Sequence, residues 1–216
     1  MITLYGAYNF PPVLRGIVRD FRVLWALEEL ELPYEVQWVD MAIGEQKLAP
    51  NRLINPFGKM PSLENGALRM FESAAIVLYL HENVGRAPQD AHARAELHQW
   101  CFAALNTVEP AFLEIFRWDM FWEGKAGREW RYPELIVAAQ TLLADLEKGL
   151  GSKPHLLGEF GPADILMTTV FNFAQHAPQV FEQSAGVRAY IDRCKARTSY
   201  QRALAKHGVG PQAKAA

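Results

Sequence analysis

The chain has 216 residues, half of them hydrophobic, which is enough for one large domain or two modest ones with sizeable cores. Its 22 basic and 24 acidic side chains are mixed along the sequence and leave a formal charge of −2, which gives no reason to expect binding to nucleic acid or to a membrane surface. No apolar run approaches the roughly 18 residues of a spanning helix, and the first residues lack a signal-peptide pattern, so we predict a cytoplasmic protein.

The first part of the chain, residues 1–83, alternates between strand-like and helical segments and begins with a βαβ pattern. This alternation favours a mixed sheet with helices packed on it. Two strand-like runs, at 60–63 and 67–71, flank the turn residues Asn65 and Gly66 and predict a β-hairpin. A helix is predicted to begin just after this hairpin, near Ser73.

The start of the predicted hairpin favours pairing with an extended peptide. Pro61 has no N–H group to donate to a sheet, and a cis bond between Met60 and Pro61 would turn the Met60 N–H and C=O outward. A peptide could pair with these groups by β-strand addition. The alternative is an ordinary hairpin without a ligand.

Charged and polar residues at both ends of this segment predict which charged groups the bound peptide has. Backbone N–H groups at the helix start and the Ser73 hydroxyl are suited to a carboxylate, and Glu72 to a nearby ammonium. Lys59 and Lys47 are suited to a second carboxylate. An amino-acid head, an extended middle and a distal carboxylate describe glutathione. The alternative for Ser73 is a simple helix cap.

The rest of the chain is predicted to be helical. Residues 84–90 form a polar linker, and residues 91–216 carry helical periodicity with few strand signals. Asp164 is expected to cap a helix that begins after Gly161, which is a structural role. Aromatic side chains crowd one stretch and are either core or the wall of an apolar pocket; they are Phe112, Phe116, Trp118, Phe121, Trp122, Trp130 and Tyr132.

Residue types that commonly bind metals are scattered along the chain. Cys101 and Cys194 lie far apart, without the spacing of a redox pair or a zinc site. The six histidines form no HExxH pattern. We therefore predict two free, buried thiols and no metal site.

The segment from Asn55 to Ile76 strongly resembles the glutathione-binding half of the cytosolic glutathione S-transferases, particularly the plant phi class and its bacterial relatives. Further blocks match that family in the expected order over nearly the whole chain; they are Ile2 to Gly6, Arg22 to Leu30, Leu32 to Glu35, Ala163 to Thr169 and Ala196 to Arg202. The resemblance implies a thioredoxin-like N-terminal domain with a four-stranded mixed sheet, followed by an all-α domain with an electrophile pocket. It also implies a homodimer. Phe57 is either an exposed anchor for the partner or buried in its own domain.

The loop before Arg22 departs from the resembled family. Its members stabilise the glutathione thiolate with a tyrosine, serine or cysteine after the first strand, and a phi-type serine would fall on Ile17 or Val18. The loop contains no serine, threonine or cysteine, so we take Tyr8 as the catalytic candidate and Arg19 as a positive charge near the sulfur. The alternatives are that Tyr8 only covers the domain junction, or that backbone N–H groups or an ordered water activate the thiol.

The resemblance implies conjugation of the glutathione thiolate, as cosubstrate, to a hydrophobic electrophile, a detoxification reaction. One alternative in the same chemistry is glutathione-dependent peroxide or disulfide reduction. Another is a non-catalytic protein that binds glutathione or hydrophobic ligands, because a fold and a binding site do not establish turnover.

Overall fold

The computed structural model describes residues 1–211. It contains two compact units, one formed by Met1–Ala87 together with the chain from Arg197 onward, and one formed by Pro88–Ala196. The predicted linker, 84–90, spans the division between them. Among the described residues, no helix is both long enough and apolar enough to cross a bilayer.

The first unit is built on a four-stranded mixed sheet in the order β2-β1-β3-β4. Strand β1 pairs with β2 in parallel and with β3 antiparallel, and β3 and β4 form an antiparallel hairpin. The elements of this unit are β1 (Ile2–Tyr8), α1 (Asp20–Glu29), β2 (Tyr34–Asp40), α2 (Ala49–Arg52), β3 (Ser62–Asn65), β4 (Leu68–Phe71), α3 (Ser73–Asn83) and α9 (Thr198–Lys206). The predicted hairpin is therefore present, with its turn at Gly66 and Ala67, one residue later than expected.

The core of the first unit lies between the sheet and its helices. Leu4 and Leu63 from the sheet and Trp25, Ile76 and Leu80 from α1 and α3 are almost fully buried. Apolar side chains dominate both faces of α1, which is why this helix is buried along nearly its whole length. Removing such side chains from water is the main force that holds the sheet and helices together.

Helix α9 differs from the predicted domain organisation, because it packs on α1 in the first unit and not with the other late helices. The Trp25 indole N–H donates to the Ser199 hydroxyl over 3.1 Å, and the Trp25 and Tyr200 rings lie 4.9 Å apart. The last helix of the predicted helical domain, 91–216, therefore packs in the first unit. The predicted end of that domain, at 216, lies outside the described residues.

The second unit is helical in its described elements, as the sequence predicted. They are α4 (Ala91–Phe102), a π-helical stretch (Ala103–Val108), α5 (Glu109–Met120), α6 (Arg128–Leu150), α7 (Pro162–Phe171) and α8 (Ala185–Lys195). The π-helical stretch lies just before Pro110, which lacks the N–H that a regular helix would use. Asp164 accepts the Gly161 N–H at the start of α7 over 2.9 Å, so the predicted cap is present.

Candidate glutathione-binding site

A cavity of about 250 Å³ lies in the first unit, where the chain enters β3 and α3. It is lined by Arg19, Asn55, Lys59, Met60, Pro61, Glu72 and Ser73. Residues from three separate parts of the sequence thus meet at one place. The predicted ligand-binding residues Lys59, Met60, Glu72 and Ser73 are all among them.

The Met60–Pro61 peptide bond is cis, and the chain before it is held by Asn55. The Asn55 side chain is buried, donates to the Lys59 carbonyl over 2.8 Å and accepts the Phe57 N–H over 3.0 Å. Within the described residues, the Met60 N–H and C=O make no hydrogen bond. This backbone therefore has the donor and acceptor that an extended peptide would need to pair with it.

The start of α3 is suited to an anion. The helix begins at Ser73, and no side chain caps it. Its first N–H groups therefore point toward the cavity end of the helix without intrahelical partners. The buried Arg22 guanidinium donates to the Ser73 hydroxyl oxygen over 3.2 Å, which brings a positive charge to the same place. A carboxylate here would meet a helix N-terminus, a hydroxyl and a nearby cation.

Arg19 reaches the cavity from the start of α1. Val18, just before it, packs on the small apolar cluster formed by Ala7, Val39 and Met60. This packing joins the loop before α1 to the Met60 segment and puts the Arg19 side chain at the cavity. Arg19 is exposed, so its charge can act on a ligand that enters from solvent.

Tyr8, the predicted catalytic residue, is not among the residues that line the cavity. Its ring packs edge-on to Trp38 at 6.4 Å and lies against Gly210. Ala7, its neighbour in β1, packs with Met60, and successive side chains in a strand point to opposite faces. Tyr8 therefore points away from the face of the sheet that carries Met60. Loss of solvation and the nearby Asp40 carboxylate also raise the pKa of Tyr8.

Lys47 does not line the cavity either. It ends a short 3-10 helix (Glu45–Lys47) and is exposed, and its backbone lies beside Gly58. Its backbone is therefore close to the residue before Lys59, and its predicted role at the ligand stays a prediction.

Two residues at this site were missed by the sequence analysis. Arg22 is a charged residue in the middle of a largely apolar helix, which is a signal for a specific partner. Asn55 precedes Pro56, a position at which an Asn side chain commonly bonds to nearby backbone. Both signals were present, although neither identified the partner.

The predicted absence of a metal stays a prediction. In the second unit, His155, Asp164 and Cys194 are buried, and one potential ligand atom of each lies within 4.8 Å of the others. The Asp164 oxygens already accept hydrogen bonds from the Leu156 N–H, the Gly161 N–H and the Tyr190 hydroxyl. Burial raises the pKa of the Cys194 thiol to about 11, so this group is a thiol at neutral pH.

The aromatic stretch of the second unit divides between core and surface. Phe112, Phe116 and Trp118 are buried, whereas Phe121 and Trp130 are exposed by about 60%. The first three are core residues. The electrophile pocket stays a prediction.

The fold and the cavity define a thioredoxin-like domain with a cavity beside a cis-proline, in a chain that also forms a helical unit. A family model described as the N-terminal domain of glutathione S-transferase matches residues 21–83. A glutathione S-transferase from Silene vulgaris is 27% identical over 198 residues, which cover 85% of this chain and 91% of the relative.

Solved structures agree with these sequence matches. A glutathione transferase from Burkholderia graminis, solved with two glutathione molecules bound per subunit, superposes with a TM-score of 0.82 and 26% identity, covering 97% of this chain and 89% of the other. Glutathione transferase F7 from Populus trichocarpa has a TM-score of 0.80 and 25% identity, with 95% and 98% covered. Residues 21–83 thus match the N-terminal domain of the glutathione S-transferases, and nearly the whole chain is similar to members of that family.

Proposed function

We propose that the protein is a glutathione S-transferase that conjugates glutathione to a hydrophobic electrophile. The observation that carries this proposal is the cavity, whose groups match glutathione from end to end. The N-terminus of α3, with Ser73 and Arg22 behind it, receives the carboxylate of the amino-acid head, and Glu72 receives its ammonium. The Met60 backbone pairs with the extended middle, and Lys59 receives the distal carboxylate. Lys47 is a second candidate for this last role.

The reaction requires the glutathione sulfur as a thiolate, because a free thiol with a pKa of about 8.5 is mostly protonated at neutral pH. We propose that Arg19 and the N-terminus of α1 stabilise this anion, since a cation and a helix N-terminus both favour negative charge. Tyr8, on the other face of the sheet, is the less suitable candidate. With an aryl halide, the sulfur–carbon bond forms and the halide leaves with the bonding electrons, while solvent accepts the thiol proton.

Three further properties are proposed with this function. We propose that the protein acts in the cytoplasm, that its conjugation reaction serves detoxification and that it is a homodimer. The similarity to the glutathione S-transferases supports all three. For the dimer, the structure adds an apolar side chain exposed to solvent, Phe57, which is 66% exposed.

A glutathione titration by calorimetry tests the binding half of the proposal. We expect saturable binding by the wild-type protein and about tenfold weaker binding by Ser73→Ala, which removes a hydroxyl that faces the bound carboxylate. Ser184→Ala, which changes a buried serine of the second unit, is the matched control and should bind as the wild type does. No binding by the wild-type protein would refute the proposal.

A panel of aryl halides, isothiocyanates, hydroperoxides and mixed disulfides tests the reaction. We expect turnover of the first two classes. Turnover confined to hydroperoxides or disulfides would indicate a glutathione-dependent peroxidase or reductase. Binding of glutathione without turnover of any of these compounds would indicate a binding protein.

A further inference from the structure

The C-terminal segment 207–210 lies beside the loop that precedes α1. His207 follows α9 and is completely buried. Gly208 forms a parallel bridge with Tyr8 at the end of β1. A Cβ atom on Gly208 would come within 2.6 Å of the Phe10 ring, so this part of the segment fits tightly against the first residues of the loop. This close packing places the His207 ring against the loop that precedes α1.

His207 joins two points of the chain that lie on either side of Arg19. The Gly16 N–H donates to His207 Nδ1 over 2.9 Å, and His207 Nε2 lies 3.2 Å from Asp20 Oδ1. Because the backbone N–H can only donate, Nδ1 must carry a lone pair. The proton of the neutral ring is then on Nε2, which donates to Asp20. The ring therefore acts as acceptor and donor at the same time.

The atoms around this ring fix both ends of the segment from Gly16 to Asp20. The second Asp20 oxygen accepts the Ala7 N–H over 2.8 Å, which ties the start of α1 to β1. The Phe10 and Phe21 rings each lie 5.3 Å from the His207 ring. The intervening segment is thus bonded at both ends, and Arg19 extends from it to the cavity.

We propose that His207 is a positioning residue for the glutathione site, which holds the loop before α1 so that Arg19 stays at the cavity. The inference rests on the proposed function, because Arg19 acts on glutathione only if glutathione binds there. His207 does not touch the ligand. It acts through its bond to Gly16, which lies three residues before Arg19.

Two substitutions separate the two contacts of the ring. An Asn side chain can place an acceptor near the position of Nδ1 but does not reach Asp20, whereas a Gln side chain can place a donor near the position of Nε2 but offers Gly16 no acceptor. We expect His207→Gln to raise the Kd for glutathione about tenfold and His207→Asn to raise it by less than about threefold, because the buried Gly16 N–H loses its partner only in the first variant.

The pH at which bound glutathione ionises separates positioning from stability. Both His207→Gln and Arg19→Gln should raise this pH. The first releases the loop that holds the Arg19 cation near the sulfur, and the second removes that cation. Arg202→Met is the control, since it removes a contact of α9 with Glu28 that does not involve the loop. It should lower the melting temperature and leave both the Kd and this pH unchanged. Equal Kd values for the Gln and Asn variants would overturn the inference.

Nitrogen-15 NMR of the wild-type protein tests the geometry without any variant. A proton on Nε2 is expected, and a proton on Nδ1 would overturn the inference. If the wild-type protein binds no glutathione, the proposed function fails, and amide exchange then decides this inference separately. The Ile17 and Val18 N–H groups, which bond to the Leu14 carbonyl, should exchange faster in His207→Gln than in His207→Asn. Equal exchange in the two variants would overturn it.

Discussion

Glu72 enters α3 with φ of 72° and ψ of 111°, a conformation that residues with a side chain rarely adopt. A backbone held in this way costs on the order of 1–3 kcal/mol. Glycine would adopt it with less strain, yet the chain has a glutamate there, beside the cavity. The carboxylate is therefore retained at the expense of stability, as expected for a group that contacts a ligand.

The first prediction concerns the conflict between strain and binding at this residue. Glu72→Gly should raise the free energy of unfolding by about 1 kcal/mol, because the backbone strain that it removes exceeds the entropy that glycine adds to the unfolded chain. The same substitution should weaken glutathione binding. Chemical denaturation and calorimetry measure the two effects. Glu31→Gly, at another positive φ of 52°, is the control that should stabilise without affecting binding. A Glu72→Gly protein that binds glutathione normally would contradict the prediction.

The second prediction concerns the group that stabilises the thiolate. Arg19→Gln should raise the pH at which bound glutathione ionises by about one unit, because a nearby cation favours the charged form. Tyr8→Phe should leave this pH unchanged, because Tyr8 points to the other face of the sheet. Ultraviolet absorbance of the thiolate follows the titration. Arg15→Gln, an exposed residue of the same loop, is the control. A raised pH in Tyr8→Phe would restore Tyr8 as the catalytic candidate.

The predicted ligand-binding residues that line this cavity are close together in the chain. Lys59, Met60, Glu72 and Ser73 flank one hairpin, so a local motif was enough to group them. His207 and Gly16 are separated by 191 positions, and no local pattern links such residues. Only its residue type predicts Tyr8 as the catalytic group, whereas the alternation of β1 turns its side chain to the other face of the sheet.

Two carboxylates of α1, the buried Glu28 and the half-buried Glu29, bind the charged and polar side chains of α9 and of Arg197 just before it. Glu28 accepts hydrogen bonds from Arg202, over 2.8 Å, from Lys206 and from the Tyr34 hydroxyl. Glu29 accepts from Arg197 and Ser199. Burial alone would raise the pKa of Glu28, but these donors outweigh it and hold the pKa below the ordinary value. The ionised form is therefore the one that holds the helix.

The third prediction follows from the lowered pKa of Glu28. Its contribution to stability is fully present above the ordinary pKa of 4.5 and is lost as the pH falls through the lower, folded-state pKa. Glu28→Gln should lower the free energy of unfolding at neutral pH by about 1–3 kcal/mol. The difference from the wild type should shrink below pH 4.5. Denaturation at a series of pH values measures it.

The control for this prediction is Asp145→Asn, which changes an exposed carboxylate paired with Lys148. Exposed pairs contribute little, so this variant should follow the wild type at every pH. A constant difference between Glu28→Gln and the wild type down to the acid limit would show that the charge of Glu28 is not what holds α9.

The docking of α9 also shows why its place was not predicted. Its sequence has the same helical periodicity as the helices before it, and periodicity reports that one face is buried but not what covers that face. The partners of its charged residues lie in α1, nearly the full length of the chain away. The mixed sheet was easier to predict, because its turn residues and βαβ pattern are local.

Several large apolar side chains of the first unit face solvent. Ile43, Leu53 and Phe57 are each exposed by about two thirds or more. The Phe57 ring stacks edge-on to Phe71 at 5.9 Å, which holds it in a defined position although it faces water. Exposed apolar groups of this kind favour association with another surface, and the proposed homodimer would cover them.

The last prediction tests this association. Phe57→Asp should convert a dimer into a monomer in sedimentation experiments, because the new carboxylate would have to be buried without a partner. The stability of the first unit should change little, since Phe57 contributes mainly exposed area to it. Val137→Asp, at an apolar side chain of α6 with 61% exposure, is the matched control and should leave the dimer intact. A wild-type protein that sediments as a monomer at all concentrations would contradict the homodimer, whereas a dimer that survives Phe57→Asp would place its interface on another surface.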